Sequence, residues 1–295
     1  MITARSSSDR WFDLVNYTLL AVLMLLVLYP LYFIIIASFS NPDLVNAGKL
    51  WLIPRDTTVE GYRRIFSDDS IWLGYRNTLL YTGLGTAINV VLTLTAGYAL
   101  SRSDLPGRGL IMFLITFTMF FGGGLIPTYL LVKQLGMLNT IWAMVIPNAV
   151  SAFNIIITRT FFQSTIPSEL LEAAVIDGCS NTRFFMRIVL PLSMPIVAVM
   201  VLFSAVGHWN AYFQALIYLK DDELYPLQIV LRNILISNDV SGNMIDDLAN
   251  LSEQQRIGEL MKYGIIMVAS LPVLILYPFV QKYFVKGVMI GSIKG

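Results

Sequence analysis

One apolar run of this chain carries side chains that could bind a polar molecule. Two amides, an imidazole, an indole and two further aromatic rings fall within seven residues there: His208, Trp209, Asn210, Tyr212, Phe213 and Gln214. An indole beside amide groups could stack on a sugar ring while the amides hydrogen-bond its hydroxyls. The alternative is hydrogen bonding between helices, because polar side chains at membrane depth usually face the interior of a helix bundle.

A second candidate feature is a cluster of helix breakers in the run at 110–132. Gly122, Gly123, Gly124 and Pro127 lie within six residues of one another, which predicts a kink or a break in the helix. A broken helix exposes backbone polar groups, and these are tolerated at membrane depth only beside a cavity or inside protein. Gly123 is therefore a candidate for a cavity wall, and a kink that serves packing alone is the alternative.

The residues of common catalytic and metal sites are scarce. The chain has one cysteine, Cys179, and one histidine, His208, so it cannot form an intrachain disulfide, a cysteine-based metal site or a site that needs two imidazoles. It contains no H-E-x-x-H, no G-x-S-x-G and no G-x-x-x-x-G-K-[ST] pattern. An intramembrane enzyme is therefore disfavoured, and the chain has no P-loop of its own for binding ATP.

The composition is that of a polytopic membrane protein. Of 295 residues, 56% are hydrophobic and 13% are charged, whereas about a quarter of the residues are charged in soluble domains. The net charge of +1 excludes the strongly basic surface typical of nucleic-acid-binding proteins. Six apolar runs are long enough to cross a bilayer as helices, at 14–38, 79–100, 110–132, 141–162, 195–219 and 263–284.

Basic residues near the ends of these runs predict the orientation of the chain. If the N-terminus is cytoplasmic, the inner segments carry ten basic and six acidic residues, whereas the outer segments carry ten and thirteen. We therefore expect both termini on the inner side. The outer loops at 40–76 and 220–262 are long enough to meet an external partner, and simple solvation is the alternative.

A polar segment at 168–195 separates two of the runs and is predicted to form two short helices around a glycine. Ser168, which follows Pro167, is expected to cap the first helix. Four residues of that helix would share an apolar face: Leu170, Leu171, Ala174 and Val175. Gly178 then stands where a helix C-terminus favours a left-handed residue.

The second helix of this segment is also predicted to be amphipathic. Ser180 or Asn181 would cap it. Three apolar residues would share one face, with two arginines opposite: Phe184, Phe185 and Ile188, against Arg183 and Arg187. A membrane protein has little reason to keep such a structured polar segment unless another protein docks on it, although an ordinary helical hairpin would show the same pattern.

The segment resembles the cytoplasmic signature loop of ABC importer permeases, whose pattern is E-A-A, three residues, G, nine residues, I-x-L-P. Seven residues match it at that spacing: Glu172, Ala173, Ala174, Gly178, Ile188, Leu190 and Pro191. In that family the loop docks into a cleft on an ATPase subunit and transmits its motion. The resemblance implies that the loop at about 164–191 couples this chain to such an ATPase through those residues and Asp177.

The resemblance continues elsewhere in the chain. The stretches at 97–102, 135–140 and 283–295 and the Trp209–Asn210 pair are similar to carbohydrate-type permeases of that family, and the glycines at 122–124 suggest its oligosaccharide branch. The resemblance implies an all-α fold in which residues 1–295 form one transmembrane permease domain with six spanning helices. It also implies a substrate pathway near the residues named at the outset: His208, Trp209, Asn210, Tyr212, Gln214 and Gly123.

The resemblance further implies partners for this chain. A second, homologous permease subunit would share the membrane pathway, an extracytoplasmic solute-binding protein would deliver the solute, and a dimer of ATPase subunits would bind ATP and Mg²⁺. The chain itself would bind no cofactor and no nucleic acid. It would lie among the lipids of the bacterial plasma membrane, with both termini in the cytoplasm.

An ion-coupled secondary transporter is the main alternative. Such proteins usually carry acidic residues inside their spans, and the cores of the six runs contain no Asp, Glu, Lys or Arg. The absence of charged residues from these cores also bears on the charge of the solute. A neutral or weakly charged oligosaccharide suits a pathway of aromatic and amide groups, whereas an acidic sugar would need cations from the partner permease.

Overall fold

The computed structural model of the protein describes residues 7–240, 258–259, 261–275, 278 and 281. The secondary structure in these residues is helical throughout, which confirms the prediction of an all-α chain. The chain divides into two compact units. One is made of Met1–Asp68 with Asn233–Ser270, and the other of Asp69–Arg232 with Leu271–Gly295.

The first unit begins with a long apolar helix, α1 (Ser7–Ser38), which is followed by the short helices α2 (Pro42–Asn46) and α3 (Glu60–Phe66). A small core gathers at the end of α1: Phe33, Ile36, Ala37, Val45, Leu50 and Tyr263. Only 6% of the most apolar stretch of α1 is buried within the chain. A helix that is apolar all round and yet exposed is typical of a span that lipid or another membrane chain covers.

The second unit is built around α4 (Asp69–Ser101), a continuous helix of 33 residues. At 1.5 Å per residue this helix is about 50 Å long. Small residues let neighbouring segments approach its backbone closely. The three closest approaches pair a glycine of α4 with another segment: Gly74 with Leu227, Gly85 with His208, and Gly97 with Thr158.

The run at 110–132 is broken, as its glycine cluster predicts. It forms α5 (Arg108–Phe120) and α6 (Leu125–Gln134), which are bent by 112° relative to each other. Gly124, the last residue of the break, has φ +85°, a conformation that glycine adopts at no steric cost. The prediction of a kink or break here is therefore confirmed.

The run at 141–162, which its apolar length predicts to be one spanning helix, is also broken. It forms α7 (Ile141–Val145) and α8 (Ala152–Thr165). Pro147 has no N–H to donate, and its ring conflicts with a helical carbonyl four residues earlier, so α7 cannot continue through it. The Oγ of Ser151 accepts a hydrogen bond from the Asn154 N–H at 3.5 Å and caps α8.

Three short helices and one long one cover residues 168–209. They are α9 (Ser168–Ile176), α10 (Asn181–Phe184), α11 (Leu190–Leu192) and α12 (Met194–Trp209). A π-helical turn at Phe185–Val189 joins α10 to α11. The helical stretch Asn181–Leu192 is bent by 83° relative to α12.

The predicted continuous helix over 195–219 is interrupted as well. α12 ends at Trp209, and α13 (Tyr212–Tyr218) begins after Asn210 and Ala211. The Nδ2 of Asn210 donates to the Val206 carbonyl oxygen at 2.9 Å, so this side chain turns back onto the end of α12. A single asparagine is a weak sequence signal for a helix end, so the sequence does not predict this break.

The stretch at 220–262, predicted as a loop, contains further helix. A 3₁₀ turn at Asp222–Leu224 leads into α14 (Leu227–Val240), and Met261–Ile275 is helical too. Residues 241–257 lie outside the described residues. The predicted span at 263–284 is described as far as Ile275, and most of its remaining residues lie outside the described ones.

Within the described residues, two helices are long and apolar enough to cross a membrane, Asp9–Ser38 and Asp69–Ser101. The number rises to four if each of two bent pairs counts as one span: α5 with α6, and the stretch Asn181–Leu192 with α12. These correspond to the runs at 14–38, 79–100, 110–132 and 195–219. The full count of six spans remains a prediction.

Candidate functional site

Residues 168–192, called the signature segment below, form two helical stretches around a glycine turn, as the pattern predicts. Pro167 is the N-cap residue of α9 and has extended backbone angles, whereas Ser168 is already helical. No side-chain hydrogen bond caps this end of α9. The prediction that Ser168 caps the helix is therefore wrong by one position.

The first helix ends in a hydrogen-bonded turn that requires glycine. Gly178 has φ +69°, its N–H donates to the Val175 carbonyl at 3.0 Å, and the Cys179 N–H donates to the Ala174 carbonyl at 2.8 Å. This pair of bonds is a Schellman motif. A Cβ at residue 178 would meet no atom within 4 Å, so the requirement comes from backbone conformation and not from space.

The second helical stretch is capped as predicted, because the Oγ of Ser180 accepts from the Arg183 N–H at 3.4 Å. Its middle turn is π-helical, with the Leu190 N–H donating to the carbonyl of Phe185. Pro191 follows directly and cannot donate a backbone hydrogen bond. A wider turn before a proline relieves the clash between its ring and the preceding turn, which explains this local geometry.

One face of the signature segment is anchored in the core of the second unit. Ala174, Phe184, Phe185 and Val189 are buried there, as is the ring of Phe162 on α8. The same cluster includes residues of α4 and α12: Leu94, Ile196 and Met200. Two signature positions pack against it and are partly buried: Ile188 and Leu190. The segment therefore packs directly on α4, α8 and α12.

The opposite face of the segment is exposed. Val175 is 61% exposed and Ile176 is 85% exposed. The remaining signature residues are exposed too: Glu172, Ala173, Asp177, Gly178 and Pro191. Of the four residues predicted to share the apolar face of α9, Ala174 is buried and Leu171 packs partly buried against the core, whereas Leu170 and Val175 are 38% and 61% exposed. Exposed apolar side chains beside carboxylates form a surface that another protein could cover.

The end of α4 contacts the signature segment through Tyr98. The centroid of its ring lies 4.8 Å from that of Phe185 in the segment and 6.2 Å from that of Phe162 on α8. The stretch at 97–102 is similar to the family in sequence, but that similarity predicts no contact for Tyr98. An aromatic residue at the end of an apolar run carries no signal for such a contact.

Arg102, one turn after Tyr98, joins α4 to the second helical stretch. Its guanidinium donates to both carboxylate oxygens of Asp104 at 2.7 and 2.6 Å, and its Nη1 lies 3.3 Å from the Tyr98 hydroxyl and 3.5 Å from the Asn181 Oδ1. The hydrogen bonds from Arg102 lower the pKa of the Asp104 carboxyl below its ordinary value. A pair of parallel hydrogen bonds from one guanidinium to one carboxylate fixes the orientation of both groups in addition to the attraction between their charges.

The candidate pathway residues lie where α12 ends. His208 and Trp209 are 7% and 6% exposed. The His208 imidazole contacts α4 at Gly85, and the centroid of the Trp209 ring lies 6.3 Å from that of Tyr75. These two side chains therefore pack inside the second unit.

The residues after the break are more accessible. Asn210 is exposed, Tyr212 is 47% exposed and Gln214 is half-buried. Gly123 is exposed in the break between α5 and α6, and Pro127 Cβ, at 3.9 Å, is the nearest atom to a Cβ built on it. The pathway role of this whole set, Gly123 and residues 208–214, remains a prediction.

Among the residues that the structure describes, no three His, Cys, Asp or Glu side chains come together in a way that could hold a metal ion. The expectation that the chain binds no cofactor of its own stays a prediction.

The chain matches the family model described as "Binding-protein-dependent transport system inner membrane component" over residues 1–290. It is 44% identical over 288 residues to the polygalacturonan/rhamnogalacturonan transport system permease protein YtcP of Bacillus subtilis (strain 168), covering 97% of this chain and 99% of YtcP. It is 40% identical over 291 residues to protein LplC of the same organism, covering 98% and 97%.

A solved structure is similar along nearly the whole chain. It is the crystal structure of a bacterial ABC transporter involved in the import of the acidic polysaccharide alginate. One of its chains matches with a TM-score of 0.85 and 34% sequence identity, over 95% of this chain and 99% of that one.

Proposed function

The chain belongs to the family of binding-protein-dependent transport system inner membrane components, and we propose that it forms the membrane pathway of an ATP-driven sugar importer together with a second, homologous permease subunit. Relatives of this chain are named as permease proteins for arabinooligosaccharides and for melibiose, raffinose and stachyose. An oligosaccharide is the solute class common to most of these names. The chain itself is a transport subunit, and hydrolysis of ATP belongs to a separate ATPase.

One observation carries the coupling part of this proposal. The signature segment is buried on one face against α4, α8 and α12 and exposed on the other, where Ile176 is 85% exposed. A protein docked on the exposed face would therefore act directly on the helices beneath it. We assign that position to one subunit of an ATPase dimer, which holds ATP and Mg²⁺.

The proposed mechanism links ATP binding to the conformation of the permease. ATP binding can shift the permease between two conformations only if it interacts differently with each of them. Closure of the ATPase dimer would move the signature segment, and α4 and α12 would follow because their side chains share its core. A solute-loaded binding protein on the other side of the membrane would favour the state that ATP also favours. Both termini of the chain would be cytoplasmic, in a plasma membrane crossed six times.

The break between α12 and α13 is the part of the chain best suited to contact the solute. Asn210 and Tyr212 are exposed there, and an amide and an aromatic ring can hydrogen-bond and stack on a sugar. Gln214 and Gly123 are further pathway candidates. His208 and Trp209 would support this surface from behind, since both are buried.

The charge of the solute is a separate part of the proposal. The names of the relatives include polygalacturonan, a polymer of an acidic sugar, and the alginate transporter carries an acidic polysaccharide. We therefore place acidic oligosaccharides ahead of neutral ones. Because the cores of the apolar runs contain no Lys or Arg, the matching cations would come from the second permease subunit or the binding protein.

Uptake by the reconstituted complex tests this function. Proteoliposomes that contain this chain, its partner permease, the ATPase and the binding protein should take up an oligogalacturonide only with ATP inside. Neutral maltooligosaccharides of equal length are measured as alternative substrates, called the neutral panel below. Uptake that follows a proton gradient and ignores ATP would contradict the importer, whereas preference for the neutral panel would contradict only the acidic solute.

A further inference from the structure

α4 has a second set of attachments near its beginning, at the opposite end from Tyr98 and Arg102. The Nδ2 of Asn77 donates to the carbonyl oxygens of Glu223 and Tyr225 at 2.7 and 3.1 Å. The Asn77 side chain itself is buried, at 6% exposed. The two bonds hold the turn that precedes α14.

Two further hydrogen bonds fasten the same turn. The Leu227 N–H donates to the Oγ1 of Thr78 at 2.8 Å, and the Tyr81 hydroxyl donates to the Leu224 carbonyl at 2.8 Å. Thr78 and Tyr81 are 0% and 1% exposed. Hydrogen bonds from buried side chains of one helix to three consecutive peptide carbonyls and one amide fasten the turn at 222–227 to α4.

The absence of a side chain at Gly74 brings the turn still closer. A Cβ at that residue would lie 3.0 Å from the Cα of Leu227 and 3.2 Å from its amide nitrogen. Backbone therefore packs on backbone here, and the turn has little room to slide along α4.

The other end of α4 is fastened in a similar way. Besides the contacts of Tyr98 and Arg102 with the signature segment, the Nε of Arg159 on α8 donates to the Leu100 carbonyl at 3.1 Å, and the Nε2 of Gln163 donates to the Ser101 carbonyl at 3.3 Å. These bonds satisfy carbonyl groups that the end of a helix leaves without helical partners.

The two sets of attachments are further apart than the hydrocarbon core of a membrane is thick, and α4 is long and apolar enough to cross that core. Asn77 and Arg102 are 25 residues apart, which corresponds to about 38 Å along a helix. The hydrocarbon core of a bilayer is about 30 Å thick. In the topology that the basic residues predict, residues 220–262 are outer and the signature segment is inner, so the two sets of attachments fall on opposite sides.

We propose that α4 is a continuous transmembrane link that connects the turn at 222–227, on the outer side, to the signature segment, on the inner side. This inference rests on the proposed function, which supplies an external binding protein and an internal ATPase. A displacement of the turn by the binding protein would be passed along an unbroken helix to the signature segment. Asn77, Thr78, Tyr81, Tyr98 and Arg102 act as positioning residues for this link.

A kink in the middle of α4 tests the link while leaving both sets of attachments in place. Ala87 lies between them and is exposed, so a new side chain there meets no packed neighbour. Ala87→Pro removes one helical hydrogen bond and bends the helix, and Ala87→Leu is the matched control. In the reconstituted complex we expect Ala87→Pro to keep basal ATP hydrolysis within twofold of Ala87→Leu and to lose at least fivefold of its stimulation by solute-loaded binding protein.

A second pair of variants tests one set of attachments without altering the helix. Thr78→Val combined with Tyr81→Phe removes two hydrogen bonds and keeps the shape of both side chains. We expect stimulation to fall at least threefold with basal hydrolysis and complex assembly unchanged. Thr78→Ser combined with Tyr81→Phe keeps the oxygen that accepts from the Leu227 N–H and should recover part of the stimulation, although it removes a methyl group from the core.

The outcomes separate the two proposals. If the Thr78→Val, Tyr81→Phe complex is stimulated as strongly as the wild type, the link is wrong, and this holds even if Ala87→Pro does not assemble. If Ala87→Pro assembles and matches Ala87→Leu, the link is likewise wrong. If the wild-type complex shows no ATP-driven sugar uptake at all, the proposed function is the part that fails.

Discussion

A Cβ placed on Gly85 of α4 would lie 2.4 Å from the Nε2 of His208 on α12. No real Cβ atom comes so close to a ring, so α4 and α12 can pack at this point only because residue 85 is glycine. The contact holds His208 in place and, with it, the end of α12, where the break before α13 begins.

Substitution of this glycine should weaken the second unit. We expect Gly85→Ala to cost about 1–3 kcal/mol, the usual cost of overpacking a core, and to lower the melting temperature of the purified complex. Gly83→Ala is the matched control, because Gly83 is on the same helix and a Cβ there would meet nothing within 4 Å. Equal melting temperatures for the two variants would contradict the close contact.

The exposed side chains at the break should matter for transport and not for folding. Tyr212 is 47% exposed, so Tyr212→Ala should leave the melting temperature unchanged while it lowers sugar uptake several-fold. Leu216→Ala, equally exposed on α13 at 47%, is the control. If both variants transport at the wild-type rate, the break is not part of the pathway.

Trp209 should behave differently from Tyr212 because it is buried. Trp209→Ala removes a large ring from beside Tyr75 and should cost about 3–5 kcal/mol in stability, together with any loss of uptake. Melting curves and uptake, measured on the same preparation, separate the two effects. A variant that melts normally and transports poorly would place the Trp209 ring in the pathway itself.

The fork between Arg102 and Asp104 should be required for coupling. Arg102→Gln releases Asp104, Tyr98 and Asn181 together, and we expect weaker stimulation of ATP hydrolysis with normal assembly. Arg102→Lys keeps the charge but cannot pair through two nitrogens, so its defect should be intermediate. Because the pKa of Asp104 is lowered, the contribution of this pair is present above the ordinary carboxyl pKa and is lost as pH falls through the lowered value. Full stimulation in Arg102→Gln would remove this residue from the coupling route.

The local structure of the signature segment could be predicted in detail because short-range rules decide it. Gly178 is left-handed and Ser180 is a cap for reasons that depend on a few neighbouring residues. Pro167 rather than Ser168 caps α9, which is an error of one position at a helix boundary.

The sequence was a poorer guide to the breaks in the apolar runs. The cluster at Gly122–Gly124 is a strong local signal, and it correctly predicts the break between α5 and α6. Pro147 is a local signal for the break in the run at 141–162, whereas the break at Asn210 has almost no local signal. The contacts of Tyr98, Arg102 and Asn77 join segments far apart in the chain, so only the packed structure reveals them.

The turn after α13 depends on one asparagine. Asn139 has φ +59°. Its Nδ2 donates to the Oδ2 of Asp221 at 2.6 Å, and its Oδ1 accepts from the N–H groups of Lys220 and Asp221 at 2.8 and 3.0 Å. Asn139→Asp would keep the accepting oxygen and place two carboxylates together.

We expect Asn139→Asp to cost about 1–3 kcal/mol, the value of a lost hydrogen bond to a charged group plus repulsion. Limited proteolysis at residues 219–222 should show faster cleavage. The double variant Asn139→Asp, Asp221→Asn restores one amide and one carboxylate and should recover most of the protection. Equal cleavage in all three proteins would contradict this account of the turn.

The central claim is that the signature segment couples this chain to an ATPase, and Gly178→Val tests it. Valine at a positive φ costs about 1–2 kcal/mol, and at residue 178 it would change the angle between the two helical stretches. Gly107→Val is the control, because Gly107 has φ +74° with nothing within 4 Å of its Cβ and lies outside the segment. Glu172→Lys changes only the charge of the exposed face.

The deciding measurement is ATP hydrolysis by the reconstituted complex with and without solute-loaded binding protein. We predict that Gly178→Val loses most of its stimulation, that Glu172→Lys loses less, and that Gly107→Val keeps it. Full stimulation in both Gly178→Val and Glu172→Lys would show that the signature segment is not the coupling element and would contradict the central claim.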